Sequence, residues 1–312
     1  MSLSSYPNGF AGGVMIRGAG LYDAGYGRNW YVDAKVGSDG NSGKSRERPF
    51  LTMAKAISLV DSGDTIFFRG KVREQVSAVT GVSDVTIIGA TNKPRHADDH
   101  TESDGVRGSS GATWMAPASG ATALTPLLTV KGQGWRFINF LFASAVTDSP
   151  AVKLDKNQLS GDSEIDGGHA EFYNMRFDAN PIGIQVATTG FVGIYDSYFR
   201  GNTTSGIGTT TGGGGSNGFW DIRGNRFMDN GTHILAPLVQ STILGNVSGK
   251  FTTKGFDLTN GSYNAVHGNY LSGDYDAGYV AGDNDDWAGN YSMDVSSAEV
   301  GAEGLTILAP AA

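Results

Sequence analysis

The chain has 312 residues, 39% of them apolar and only 17% charged, a balance that supplies a sizeable core and excludes intrinsic disorder. A formal charge of −8 without a basic run excludes nucleic acid and anionic membrane surfaces as partners, and the lack of cysteine excludes disulfides and thiolate metal sites. Glycine reaches 47 residues with no collagen-like period, which favours one elongated repeat fold of short strands and many turns over two separate domains.

In chain order, residues 1–28 read as an extended arm. The stretch SSYPNGFAGGVMIRGAG is expensive to order because its glycines lose so much backbone freedom, yet Tyr6, Phe10, Val14 and Ile16 are apolar enough to require a surface. An arm that orders on binding a partner and an arm packed along its own subunit both satisfy that pattern. Nothing at the N-terminus has the charged-then-apolar form of a cleaved leader, and no stretch approaches the roughly 18 apolar residues of a membrane span, so synthesis in a cytosol without signal-directed export is expected.

Residues 29–70 read as an opening block: a strand at Trp30-Tyr31-Val32, a polar turn, a helix and a buried strand. Leu51, Ala54, Ile57 and Leu59 or Val60 follow Pro49 at helical spacing, and Gly63 closes the helix. Such a helix would cap the open end of a repeat array, whose unpaired edge otherwise invites other chains.

Residues 71–300 carry the repeat. Four Gly-Asn pairs place asparagines at Asn225, Asn246, Asn269 and Asn290, with steps of 21, 23 and 21 residues, and Ser197 and Met175 continue the series upstream. The longer step of 28 between Ser197 and Asn225 is assigned to an exposed loop, TTSGIGTTTGGGG. Alternating strands such as Phe219, Asp221 and Arg223 against Trp220 and Ile222 flank the pairs. A period near 22 fits one coil of a parallel β-solenoid, with asparagine at the corners tolerating left-handed backbone and stacking as an amide ladder. Hairpin turns of an antiparallel sandwich would not impose so regular a step. Roughly ten coils at ~4.8 Å each would make a rod on the order of 50 Å long.

Several polar clusters are candidate sites. His96, Asp98, Asp99 and His100 could bind a metal, although Pro94 argues for a solvated loop, and Asp39 with Asn41 is explained by turn chemistry. The stretch GDYDAGYVAGDNDDW sets Asp274, Tyr275, Asp283, Asp285, Asp286 and Trp287 together, suited to stacking and hydrogen bonding on a sugar ring, or to a pair of solvated turns. His169 follows two glycines but lacks a third. No catalytic residue, metal ligand or cofactor is assigned. The apolar tail, residues 301–312, is expected to cover the last coil or an oligomer seam.

Trp30-Tyr31-Val32, the turn from Gly37 to Gly43, Pro49-Phe50, Thr52, Ala56-Ile57 and Gly63-Asp64-Thr65-Ile66 resemble the start of right-handed parallel β-helix proteins of the pectate-lyase-like superfamily. That resemblance implies an all-β, right-handed parallel β-helix with an N-terminal capping helix and an extended N-terminal arm, and says little about activity. The polygalacturonase-like set is represented only by its Asp-Asp pair. Tyr6-Pro7-Asn8-Gly9-Phe10, Gly13-Val14 and Ile16-Arg17-Gly18 are similar to the arm of tailed-bacteriophage virion proteins. This second resemblance implies a structural virion protein, a capsid decoration or head-fibre subunit docked through Tyr6, Pro7, Asn8, Gly9, Phe10, Val14, Ile16 and Arg17 on the major capsid protein or another virion protein. It also implies a homotrimer, made in the host cytoplasm and carried on the particle. The alternative is a tailspike-like protein that binds or cleaves host cell-surface glycan as a polysaccharide lyase or glycoside hydrolase.

Overall fold

A computed structural model describes residues 27–78, 80–89, 111–157, 165–166, 168–186, 189–209, 217–273 and 275–292. The architecture is a right-handed parallel β-helix. Sheet I has ten strands, from Asn29–Asp33 to Asp286–Ala288; sheet II has nine, from Lys71–Arg73 to Tyr291–Ser292; sheet III has seven, from Val76–Ser77 to Phe251–Asp257. The central coils visit the three sheets in turn, and within these sheets the strands pair in parallel from one coil to the next. Ten strands in sheet I match the coil number expected from the repeat.

Three residues is the commonest strand length, and such a strand sends its central side chain inward. In sheet I the inward column runs Ile66, Ile87, Phe137, Phe172, Ile194, Ile222, Ile243, Val266 and Trp287, each in register with the next. In sheet II, Phe142, Phe177, Phe199 and Phe227 stack with ring centroids 5.7, 4.7 and 4.9 Å apart. These columns form one continuous core. Its cohesion is collective, because each side chain packs on like side chains above and below.

The corners explain the Gly-Asn pairs, with a correction to their division of labour. It is the glycine that takes the left-handed backbone, at φ between 60° and 66° for Gly224, Gly245, Gly268 and Gly289, while the asparagine is free to turn inward. Asn225, Asn246, Asn269 and Asn290 are fully buried. Asn225 Nδ2 donates to Asn246 Oδ1 at 3.1 Å, Asn246 to Asn269 at 3.0 Å, and Asn269 to Asn290 at 2.9 Å. Each backbone N–H donates to the same oxygen, and each Nδ2 spends its second proton on a carbonyl of the preceding strand. Ser197 joins the upper end by donating its N–H to Asn225 Oδ1 at 2.8 Å.

A second ladder lies at the next corner. Asn180, Asn202 and Asn230 follow Met175, Ser197 and Asn225 by five residues each and stack in the same way, at 3.1 and 2.8 Å. His233 ends it: Asn230 Nδ2 lies 3.0 Å from Nδ1, and Nε2 lies 3.1 Å from the Gly249 carbonyl. Those partners select the neutral tautomer protonated at Nε2, and burial lowers the pKa to about 4.

Residues 29–70 hold the first coil and the second strand of sheet I, Thr65–Arg69. Helix α1 is shorter than the spacing predicts, spanning Met53–Ile57 with Thr52 as its N-cap; Leu51 and Leu59 are exposed, whereas Met53, Ala56, Ile57 and Val60 enter the core. The open edge of Asn29–Asp33 is closed mainly by the turn before the helix. Tyr31 N–H donates to Gly43 O, Phe50 N–H to Tyr31 O, and Asp33 N–H to Phe50 O, each at 2.8 Å. Glu74 accepts the Met53 and Ala54 N–H groups; burial raises its pKa.

Half of the expected exposed loop is also structural. Ser205–Gly208 is a fully buried strand of sheet III, because any coil needs a third side, and only the six extra residues of that coil are left for an insertion. Residues 210–216 lie outside the described residues.

Candidate functional site

The outer face of sheet I presents the first and third residue of each strand. Along four adjacent coils the first positions are Arg136, Glu171, Gly193 and Asp221, and the third positions are Ile138, Tyr173, Tyr195 and Arg223. Tyr173 and Tyr195 stack at 4.9 Å with 23° between their planes. Tyr195 lies back over Gly193: a Cβ there would sit 2.5 Å from its ring. That posture lets its hydroxyl donate to Asp221 Oδ2 at 3.2 Å. Burial, followed by the Asp221 charge, pushes the Tyr195 pKa up to about 12, so the phenol remains a donor at any physiological pH.

Each of these carboxylates meets a basic side chain. Glu171 pairs with Arg136 at 2.9 Å, Asp221 with Arg223, and Asp286 with His267 at 3.0 Å. The face therefore offers aromatic rings, guanidinium groups and acceptor oxygens in a line parallel to the helix axis.

A ridge borders it. His169, Phe191 and Phe219, each two residues before a sheet I strand, take left-handed backbone at φ of 54°, 57° and 59°, and stack at 4.8 and 4.9 Å. About half of each phenylalanine is exposed. Because the rings occupy one another's faces, the ridge shows mainly ring edges to solvent.

The structure separates the residues of the suggested sugar-binding cluster. Trp287 faces inward as the last member of the sheet I core column, and Tyr279 is buried with its hydroxyl 2.7 Å from Ser248 Oγ. Asp285 ends a third corner ladder: its Oδ1 accepts from Asn264 N and Nδ2 at 2.8 and 2.9 Å, and its Oδ2 accepts from Gly282 N at 2.7 Å. A carboxylate can only accept, which suits a terminal position. Asp283 and Asp286 are exposed. Tyr275 lies in α2 (Tyr275–Gly278), with its side chain outside the described residues, as is all of Asp274.

Asp39 accepts from Leu51 N, Thr52 N and Thr52 Oγ1, and Asn41 donates to Pro49 O, which makes the early turn a structural clasp. The docking residues Tyr6 to Arg17, the His96 to His100 cluster and the tail 301–312 lie outside the described residues. Among the described residues, no group of three or more acidic or histidine side chains is placed to hold a metal, and no helix is long and apolar enough to cross a membrane.

Sequence reasoning missed the outer face of sheet I. Its signal was present: aligning EFY, GIY and DIR by their coil steps places Glu171, Gly193 and Asp221 in one column and Tyr173, Tyr195 and Arg223 in another.

No protein-family model matches the chain, and a search of curated proteins finds no match. Solved structures do match. The pectate lyase Pel9A aligns at 15% identity over 85% of this chain and 68% of its own, with a TM-score of 0.52. An alginate lyase from Paenibacillus sp. str. FPU-7 aligns at 13% identity over 86% of this chain and 96% of its own, also at 0.52. A rhamnogalacturonan lyase aligns at 15% identity over 92% of this chain and 66% of its own, at 0.47. The chain thus spans about two thirds of the length of the first and third, and nearly all of the second. At these identities the likeness to the first two establishes the fold alone, a parallel β-helix.

Proposed function

We propose that this chain is the β-helix of a bacteriophage particle protein of the tailspike type, and that the outer face of sheet I binds host-surface polysaccharide. The observation that carries this reading is the register of Tyr173, Tyr195, Asp221 and Arg223 on one exposed face. Its coil rise of about 4.8 Å is close to the length of one sugar unit, so successive sugars would meet successive coils. Support for a glycan also comes from the pectate and alginate lyases that share the scaffold. Binding is favoured over cleavage because Glu171 and Asp221 are each tied to an arginine, which suits acceptors better than general acids.

The purified protein should be retained on immobilised host polysaccharide, and Tyr195→Ala or Asp221→Ala should weaken retention about tenfold, the scale of one hydrogen bond involving a charged group. Equal retention of parent and variants refutes the face. Release of unsaturated or reducing ends would replace binding with cleavage.

Anchoring as a capsid decoration or head-fibre subunit through Tyr6 to Arg17, and assembly as a homotrimer, rest on the sequence resemblance of the arm. Deleting residues 1–20 should leave a folded β-helix that no longer attaches to particles, and recovery of the intact protein on genome-filled heads lacking tails would favour the capsid over the tail. A concentration-independent monomer mass by light scattering on assembled particles' extracts would remove the trimer.

A further inference from the structure

At the N-terminal end of sheet I, a cleft of about 190 Å³ opens between the first two strands and the polar turn, lined by Tyr31, Asp33, Arg46, Pro49, Phe67 and Arg69 among others. That space equals roughly six waters, enough for one ring-sized group and below the usual size of a drug-like pocket. Tyr31 and Phe67 are register partners stacked at 5.5 Å, and Asp33 and Arg69 are register partners that form an ion pair.

The charges in the cleft do not balance. Asp33 is committed: Oδ1 accepts from Lys35 N at 2.9 Å and Val36 N at 3.2 Å, and Oδ2 accepts from Arg69 Nε. That carboxylate is buried and neutralises Arg69, whose guanidinium remains mostly exposed. Arg46 lies 6.0 Å from the Tyr31 ring centroid and forms no ion pair with a carboxylate among the described residues. The adjacent Glu47 does not line the cleft; it is fully exposed, and its pKa is lowered chiefly by a hydrogen bond with Ser45 and in part by the Arg46 charge. A surplus positive charge beside two stacked rings is notable on a chain of net charge −8.

We infer that this cleft binds an oxyanion-bearing ring, the charged end group of a glycan, with Arg46 and the free edge of Arg69 on the anion and the Tyr31 side chain against the ring. The assignment of the ring to a sugar rests on the glycan reading above; the anion preference does not. Carboxylate and phosphate share the required chemistry, and Asp33 acts as the positioning residue that fixes Arg69.

The test is calorimetric titration of the full chain with glucose, glucuronate, glucose 6-phosphate and a short glutamate peptide. One or both anionic sugars should bind at least tenfold more tightly than glucose, the stronger one identifying the anion, and Arg46→Gln should remove about tenfold of that affinity without shifting the melting temperature. Equal affinities for the three sugars, or an unchanged affinity in Arg46→Gln, overturn the site. Tighter binding of the peptide overturns the sugar assignment in favour of a protein partner. Polysaccharide retention that depends on Tyr195 but not Arg46 would remove the cleft alone; anionic-sugar binding without polysaccharide retention would remove the sheet I face alone.

Discussion

Replacing Asn246 tests the corner ladder at its centre. Its side chain accepts from Asn225 N at 2.9 Å and Asn225 Nδ2 at 3.1 Å, and donates to Ile222 O at 2.9 Å and Asn269 Oδ1 at 3.0 Å. In Asn246→Ala, Asn269 Oδ1 keeps the Asn246 N–H at 2.9 Å, whereas the Asn225 N–H, one Asn225 amide proton and the Ile222 carbonyl lose a partner. At about 1–3 kcal/mol for each of these three buried polar groups left unpaired, the loss is roughly 3–9 kcal/mol, a large share of the about 5–15 kcal/mol that holds a typical domain together. Asn246→Asp should be worse at neutral pH. One carboxylate oxygen could still accept from Asn225, but the other would face two acceptors, Ile222 O and Asn269 Oδ1, while carrying a buried charge. Acidification should partly rescue Asn246→Asp, because a protonated carboxyl donates once, and should not rescue Asn246→Ala. Urea denaturation followed by circular dichroism and tryptophan fluorescence reads both effects. An alanine variant within 0.5 kcal/mol of the parent, on the order of an ordinary surface change, would refute the claim that the ladder stabilises the coils.

His233 should make stability depend on acidity. Its folded pKa of about 4 is depressed from 6.5, so the unfolded chain binds more protons between those values; its contribution is complete above pH 6.5 and is lost as pH falls toward 4, amounting to about 3 kcal/mol. Denaturation midpoints across that window should flatten in His233→Gln, and an unchanged slope would contradict the assignment. Gly193→Ala should displace the Tyr195 ring, which leaves no room for a Cβ, and bring the phenol pKa down from about 12 on ultraviolet titration while the fold persists. A titration identical to the parent's would show that Gly193 does not set the ring's position. Asp285→Ala should destabilise the chain by roughly 2–4 kcal/mol through the orphaned Asn264 amide and Gly282 N–H, measured by thermal melting, without weakening polysaccharide retention.

The repeat was legible because its cause is local and periodic. A glycine that turns left-handed, followed by an asparagine, marks these corners, and its recurrence at Asn225, Asn246, Asn269 and Asn290 reports the coil length directly. The second ladder was equally regular but harder to see, since Asn180, Asn202 and Asn230 follow Ala, Gly and Asp respectively and share no dipeptide. The acidic stretch near the C-terminus divides in space for a related reason. Composition grouped Asp285, Asp286 and Trp287, but consecutive residues at a strand start point in different directions: Asp285 into a corner, Asp286 to solvent and Trp287 into the core.

The order of residues by itself determined that this chain is a stack of short parallel strands, because period, turn chemistry and inward alternation are all properties of neighbouring residues. Only the tertiary structure decided which side chains share a surface. Glu171, Gly193 and Asp221 are separated by 22 and 28 residues yet occupy adjacent strands, and Arg46 meets Tyr31 only because the first turn folds back along the edge of the first strand. The physical reason is that a coil converts separation along the chain into adjacency along the axis. The register between coils, set by the buried ladders and core columns, therefore assembles the outer face.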